Sequence, residues 1–197
     1  EGGNLRNAIP RESVAVVAVP VKLEDVFVDF IKNYFNTVKK ELGNKEPDFK
    51  IEIQKAEAAD NVMDLVSQAA FLNAVFACPN GVMGMITEMP TVVETSTNLA
   101  IVTIKDQIAE IVSLQRSSVD SLRDDVCNMM RSAFELAGAE VENSGAYPGW
   151  KPNINSSILK TAMNVYSAKF GKMPEIKVIH AGLECGLIGD VYPNMEM

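Results

Sequence analysis

The chain has 197 residues, 47% of them hydrophobic and 22% charged, which is enough apolar material to bury a core; its formal charge is −8 and its pI is near 4.8. That acidic balance excludes the clustered Lys and Arg that phosphate backbones require, so no nucleic-acid partner is expected. No apolar run approaches the roughly 18 to 20 residues of a membrane span, and no polybasic amphipathic helix is present, so no membrane contact is expected either.

The opening EGGNLRNAIPRE sets two adjacent glycines and Pro10 around Asn7, directly before an apolar run. It reads as a cut in a longer chain, as does the apolar finish VIHAGLECGLIGDVYPNMEM. Valine-rich 13–19 predicts a buried strand. Beyond Pro20, the helical spacing of Leu23, Val26, Phe27, Phe30, Ile31, Tyr34, Val38 and Leu42 predicts a helix that ends at Gly43, with Lys39 and Lys40 in its last turn. Alternating Phe49, Ile51 and Ile53 predict a half-buried strand, and 61–77 returns to a helical period that CPNGVMG breaks.

Residues 92–116 divide at KDQ into two β-rich halves, the pattern of a long hairpin. An amphipathic helix follows, with Val119, Leu122, Val126, Met129, Met130, Ala133, Phe134 and Ala137 on one face and Gly138 past its end; AEVENSGAYP supplies a last short strand. This order implies an α+β fold close to a ferredoxin-like plan, with helices on one face of a mostly antiparallel sheet. The composition changes at YPGWKPN, which marks a boundary between a first domain, 1–149, and a second unit, 150–197. The second begins with a helix over 156–170 and continues with the strand EIKVIHA and a Gly-spaced turn, GLECGLIGD.

No self-contained active site emerges from the residues. The single histidine, His180, cannot furnish a His-rich zinc set, and Walker, His-x-x-x-His and Gly-x-Ser-x-Gly patterns are missing. Cys78, Cys127 and Cys185 are far apart without Cys-x-x-Cys spacing, which suits reduced thiols in a cytoplasmic protein. Three local features stand out, each with an ordinary structural reading beside the functional one. Asn7, on a stiff turn, either donates to a ligand carbonyl or only closes the turn. Arg116, between a strand and a helix N-terminus, either grips a carboxylate or pairs with a structural acid. His180 and Glu184 lie around Gly182 at a strand end, where ligand turns are common, though a lone histidine there is as readily structural.

The segments GGNLRNAIPRE, PNGV, VVETSTNLA, RSSVDS, SGAYPGWKPN and VIHAGLECGL…YPNM resemble, in order and from end to end, those of the cytosolic aminoacyl-histidine dipeptidases. These are the Xaa-His dipeptidases within the carnosinase-like dinuclear zinc peptidases. The resemblance implies that 1–149 is most of a ferredoxin-like lid and dimerisation domain, and that 150–197 re-enters an α/β catalytic domain. It implies a homodimer and two zinc ions per full-length subunit. The family's His-x-Asp motif, paired glutamates, bridging aspartate and closing His-Ser-Pro-Asp-Glu segment have no counterpart here, so the chain alone is expected to bind no zinc and to be inert.

By the same resemblance, Asn7 corresponds to the asparagine near the scissile carbonyl and Arg116 to an arginine for the dipeptide's C-terminal carboxylate. His180 and Glu184 correspond to a substrate-pocket turn where a carboxylate receives the α-amino group. The alternative is a stand-alone ferredoxin-like module for self-association or small-molecule binding.

Overall fold

Helix α1 (Glu24–Leu42) is the best-marked element of the sequence, and its ends fall where the sequence sets them. The computed structural model describes residues 1–179 and 183–197. They form two units: Val14–Asp64, and Glu1–Ser13 together with Leu65–Met197.

In the smaller unit, Pro20 precedes a 3-10 turn (Val21–Leu23) that leads into α1, and the Gly43 N–H closes the helix on the Lys39 carbonyl at 3.1 Å. Glu24 and Asp25 begin the helix and Lys39 and Lys40 end it, the polarity that the helix dipole favours. Phe27, Ile31, Phe35, Val38 and Leu42 form a half-buried stripe. Phe35 stacks on Phe49 with ring centres 5.7 Å apart, so the 43–56 segment folds back along the helix. A neighbouring stripe, Val26, Phe30 and Tyr34, is exposed. The expected strands at 13–19 and 49–53 form no ladder among the described residues, apart from a bridge at Ser13. Alternation fits a segment to a pleated surface, but a strand exists only where another strand lies alongside.

The larger unit is built on β1 (Gly81–Ile86), β2 (Met89–Lys105) and β3 (Ile108–Ser117), an antiparallel sheet in the order β1-β2-β3. The expected hairpin turns at the KDQ point. Lys105 faces Ile108 across Asp106 and Gln107, whose φ values of +50° and +65° define a two-residue turn of the type that matches strand twist. Helices α2 (Leu65–Ala77) and α3 (Asp120–Leu136) pack on one face. Ala74, Cys78, Met130 and Phe134 are buried there against Leu99 and Ile111 of the sheet. The fold is therefore α+β, with helices on one face of an antiparallel sheet.

Four segments of this unit differ from expectation; one, the strand expected at EIKVIHA, forms no ladder over its described residues 175–179. CPNGVMG, read as a helix breaker, does end α2, but from Gly81 it also opens β1, because β2 is long enough to offer Met89–Thr97 as a pairing edge. Residues 139–148 form no ladder among the described residues; Arg131 Nη1 instead donates to the Val141 carbonyl at 3.3 Å. The Gly-spaced turn expected at 182–190 is, over its described residues, a helix, α5 (Glu184–Val191), since isolated glycines weaken a short helix without forbidding it and Glu184 suits its first turn.

Helix α4 (Ser157–Phe170) takes its N-terminal cap from far along the chain. Glu196 Oε2 accepts hydrogen bonds from Ser157 Oγ, from the Ile158 N–H at 3.0 Å and from Ser156 Oγ at 3.4 Å. The Ser157 hydroxyl, then the Ile158 N–H, hold the Glu196 carboxyl below its ordinary value of 4.5. A lowered folded pKa contributes stability that is complete above the ordinary value and lost as pH falls through the lowered one. The protection of the Ile158 amide, relative to its intrinsic exchange rate at each pH, should therefore be complete at pH 6 and fall on acidification below 4.5, and Glu196→Gln should flatten that dependence. In the core, Phe134→Ala should cost about 3–5 kcal/mol by urea denaturation, whereas Leu136→Ala, at a side chain 90% exposed, should cost under about 0.5 kcal/mol.

Candidate functional site

Side-chain alternation in the β2–β3 hairpin separates a structural face from an open one. Leu99 and Ile111 enter the core beneath α2 and α3. On that same face, Thr95 Oγ1 and Ser117 Oγ lie 2.8 Å apart, and Gln115 Nε2 donates to Thr97 Oγ1 at 3.1 Å and Ser113 Oγ at 2.8 Å. Cys127 of α3 reaches Gln115 at 3.9 Å. Asn98 and Arg116, the alternate residues, therefore belong to the opposite face. They are diagonal neighbours, since Asn98 pairs with Leu114 and Ser96 with Arg116.

Asn98 carries the Asn7 turn. Its Nδ2 donates to the Ala8 carbonyl at 2.8 Å and the Arg6 carbonyl at 3.4 Å, and the turn closes through Ala8 N–H to Leu5 O at 3.2 Å. The glycine pair explains how the segment reaches this place. Gly2 exchanges two backbone hydrogen bonds with Val102, at 2.8 and 2.9 Å, extending the sheet beyond the end of β1. Gly3 then passes at φ +72° so close to β2 that a Cβ would lie 1.8 Å from the Ala100 carbonyl oxygen. Ala100 itself is the extra residue of a bulge, between Leu99↔Ser113 and Ile101↔Val112. The Leu99 N–H there is satisfied by Asn80 Oδ1 at 2.8 Å, which gives the PNGV segment a structural task.

Asn7 and Arg116 line one cleft of about 1050 Å³, with Arg6, Arg123, Asn128 and Leu183 among its other walls. The sequence placed Arg116 at a strand end before a helix, and it lies there, half-buried in β3 just ahead of α3. Glu184 is exposed at the start of α5; its neighbour Leu183 lines the cleft. His180 lies outside the described residues. The cleft thus brings two of the four candidates together and borders a third.

Cys127 also lines the cleft, but burial, then the charge of Asp124, raise its thiol above the ordinary value, so it is a packing group and not a thiolate nucleophile. Burial likewise raises Cys78. Among the described residues no group of three or more His, Cys, Asp or Glu could hold a metal ion. No helix among them is long and apolar enough to cross a membrane.

Sequence reasoning passed over Arg123. It stands in the first turn of α3, where the helix dipole disfavours a cation, and that misplacement was the available signal. Burial alone would lower its pKa, yet the hydrogen bond and charge of Asp124, with the charge of Asp120, raise it above the ordinary value.

With this fold and cleft, the chain is similar along its whole length to part of a dipeptidase. It is 41% identical over 196 residues to the cytosol non-specific dipeptidase of Escherichia coli (strain K12), matching all of this chain and 40% of that protein. The crystal structure of aminoacylhistidine dipeptidase from Vibrio alginolyticus matches with a TM-score of 0.94 at 44% identity, again over all of this chain and 40% of the other. No family model matches the sequence. The chain therefore spans about two fifths of the length of the relatives it matches.

The approach of Gly3 to β2 and the grip of Asn98 on the 5–8 turn can be tested separately by urea denaturation. Gly3→Ala should cost about 1–3 kcal/mol through overpacking and the positive φ, and Asn98→Ala about 1 kcal/mol through the lost hydrogen bonds.

Proposed function

We propose that this chain is the substrate-holding portion of a zinc-dependent dipeptidase that hydrolyses Xaa-His and other unhindered dipeptides. In this reading 1–149 is the lid and dimerisation domain and 150–197 a segment of the catalytic domain. What carries the reading is that Asn7 and Arg116 line one cleft, in a chain similar from end to end to dipeptidases. That similarity weighs against a stand-alone module.

A dipeptide offers a carboxylate, a central carbonyl and an α-amino group. Arg116 suits the carboxylate, as a planar fork of donors in a chain that is otherwise acidic. Asn7, on its braced turn, suits the carbonyl, where an amide donor strengthens as negative charge develops on the oxygen. Glu184, with His180, suits the amino group. Zinc would supply the activated water, held in this reading by segments of the longer protein, as the family resemblance implies. Pairing of two copies and a cytoplasmic setting complete the proposal, the latter supported by the cytosol dipeptidase relative.

In the full-length protein, Arg116→Ala should raise KM for dipeptides by about 10- to 100-fold, the loss of a charged hydrogen-bond pair. Asn7→Ala should instead lower kcat by about 100-fold with KM little changed. Steady-state kinetics on an Xaa-His dipeptide separates the two roles, and the reverse pattern would refute both assignments.

A further inference from the structure

Residues 147–149 are fastened to the first turn of α3 through Asp120 and Arg123. Asp120 Oδ1 accepts the Gly149 N–H at 2.9 Å and Arg123 Nη1 at 2.8 Å. The same Nη1 donates to the Tyr147 carbonyl at 2.8 Å, while Nε and Nη2 reach Asp124 Oδ1 at 3.0 and 2.8 Å. The Arg123 side chain is only 18% exposed, so this is a tightly held guanidinium and not a solvated surface pair.

Two close backbone approaches extend the arrangement on either side. A Cβ on Gly149 would lie 2.6 Å from the Ser118 carbonyl oxygen, and one on Gly186 would lie 2.6 Å from the Pro148 carbonyl oxygen. Three layers of backbone are therefore stacked without side chains between them: Ser117–Ser118 at the end of β3, Pro148–Gly149, and Gly186 of α5. Arg116 leads directly into the first layer, and Leu183–Glu184 lead into the third. Ser117 fixes the first layer in turn, through its contact with Thr95 and by accepting the Val119 N–H at 3.0 Å.

We propose that Arg123 is a positioning residue of the cleft, which ties the Tyr147–Gly149 strap to α3 and thereby sets the spacing between Arg116 and the Leu183–Glu184 wall. The kinetic consequence rests on the dipeptidase reading. The two charged ends of an extended dipeptide are about 7 Å apart, so groups that hold both ends must keep that spacing, and a drift of about 1 Å is enough to cost about 100-fold. The strap is the only described segment that touches both the β3 end and α5 through these glycines.

The test compares Arg123→Ala, Arg123→Lys and Asp120→Asn in the full-length, zinc-loaded protein, with Lys32→Ala on α1 as a control. Amide exchange over 145–150 should accelerate at least about tenfold in Arg123→Ala. KM for a dipeptide should rise about 10- to 100-fold while kcat changes less than about threefold. Arg123→Lys should recover part of both losses, and Asp120→Asn, which keeps an acceptor for Gly149, should fall between wild type and Arg123→Ala. Unchanged exchange would overturn the strap. Faster exchange with unchanged KM, or a loss confined to kcat, would overturn the positioning role. A wild-type protein with no dipeptidase activity would instead refute the dipeptidase reading and the substrate half of this proposal, and the exchange result would still decide whether Arg123 holds the strap. If Arg123→Ala fails to fold, the lysine and asparagine variants give the same two readouts.

Discussion

The register of the β2–β3 hairpin is the constraint on which the larger unit depends. It runs from Lys105↔Ile108 at the turn to Thr95↔Ser117 at the far end, and the other parts attach to it. β1 uses the outer edge of β2, Gly2 uses the same edge beyond the bulge, and α3 starts three residues after β3 ends. Alternation along the hairpin gives Leu99 and Ile111 to the core and Asn98 and Arg116 to the opposite face. A slip of one residue would exchange those assignments and bury an arginine beneath α3. The two faces of the sheet are thus two readings of one ladder.

The elements legible in the sequence were those whose causes are local. The α1 period with its caps, the hairpin turning at KDQ and the α3 and α4 stripes needed no partner to be recognised. Strands at 13–19 and 49–53 were expected because their residues suit a pleated surface, but pairing depends on what lies alongside, and composition does not carry that. β1 was hidden for the converse reason: GVMGMI has weak strand character, and the long edge of β2 recruits it. Of the candidate residues, Arg116 was found through its place between strand and helix and Asn7 through the stiffness around it. Asn98 and Arg123, which brace the Asn7 turn and the strap, act through partners roughly 90 and 24 residues away, and such pairings are invisible to a reading that moves along the chain.

Surface area sets a further condition. Large apolar side chains are left exposed in both units. Val26, Phe30 and Tyr34 line a bare stripe of α1, and Phe76 and Leu136 are 93% and 90% exposed at helix ends. Contiguous apolar faces of this kind require cover in a working protein, and both relatives continue well beyond the matched stretch.

The anchoring of the Asn7 turn also fixes an order of events during synthesis. The segment that carries Asn7 leaves the ribosome ahead of Asn98 and Val102, which hold it and are made roughly 90 to 100 residues later. Until the β2–β3 hairpin exists there is nothing for Gly2 to pair with and no amide to grip the 5–8 carbonyls. The hairpin itself closes through a two-residue turn and needs only neighbouring sequence, so it has the advantage in speed that local contacts confer. The Asn7 segment is therefore placed only after strands made well behind it, and the cleft comes into being only when that earlier stretch of the nascent chain returns to the newer strands.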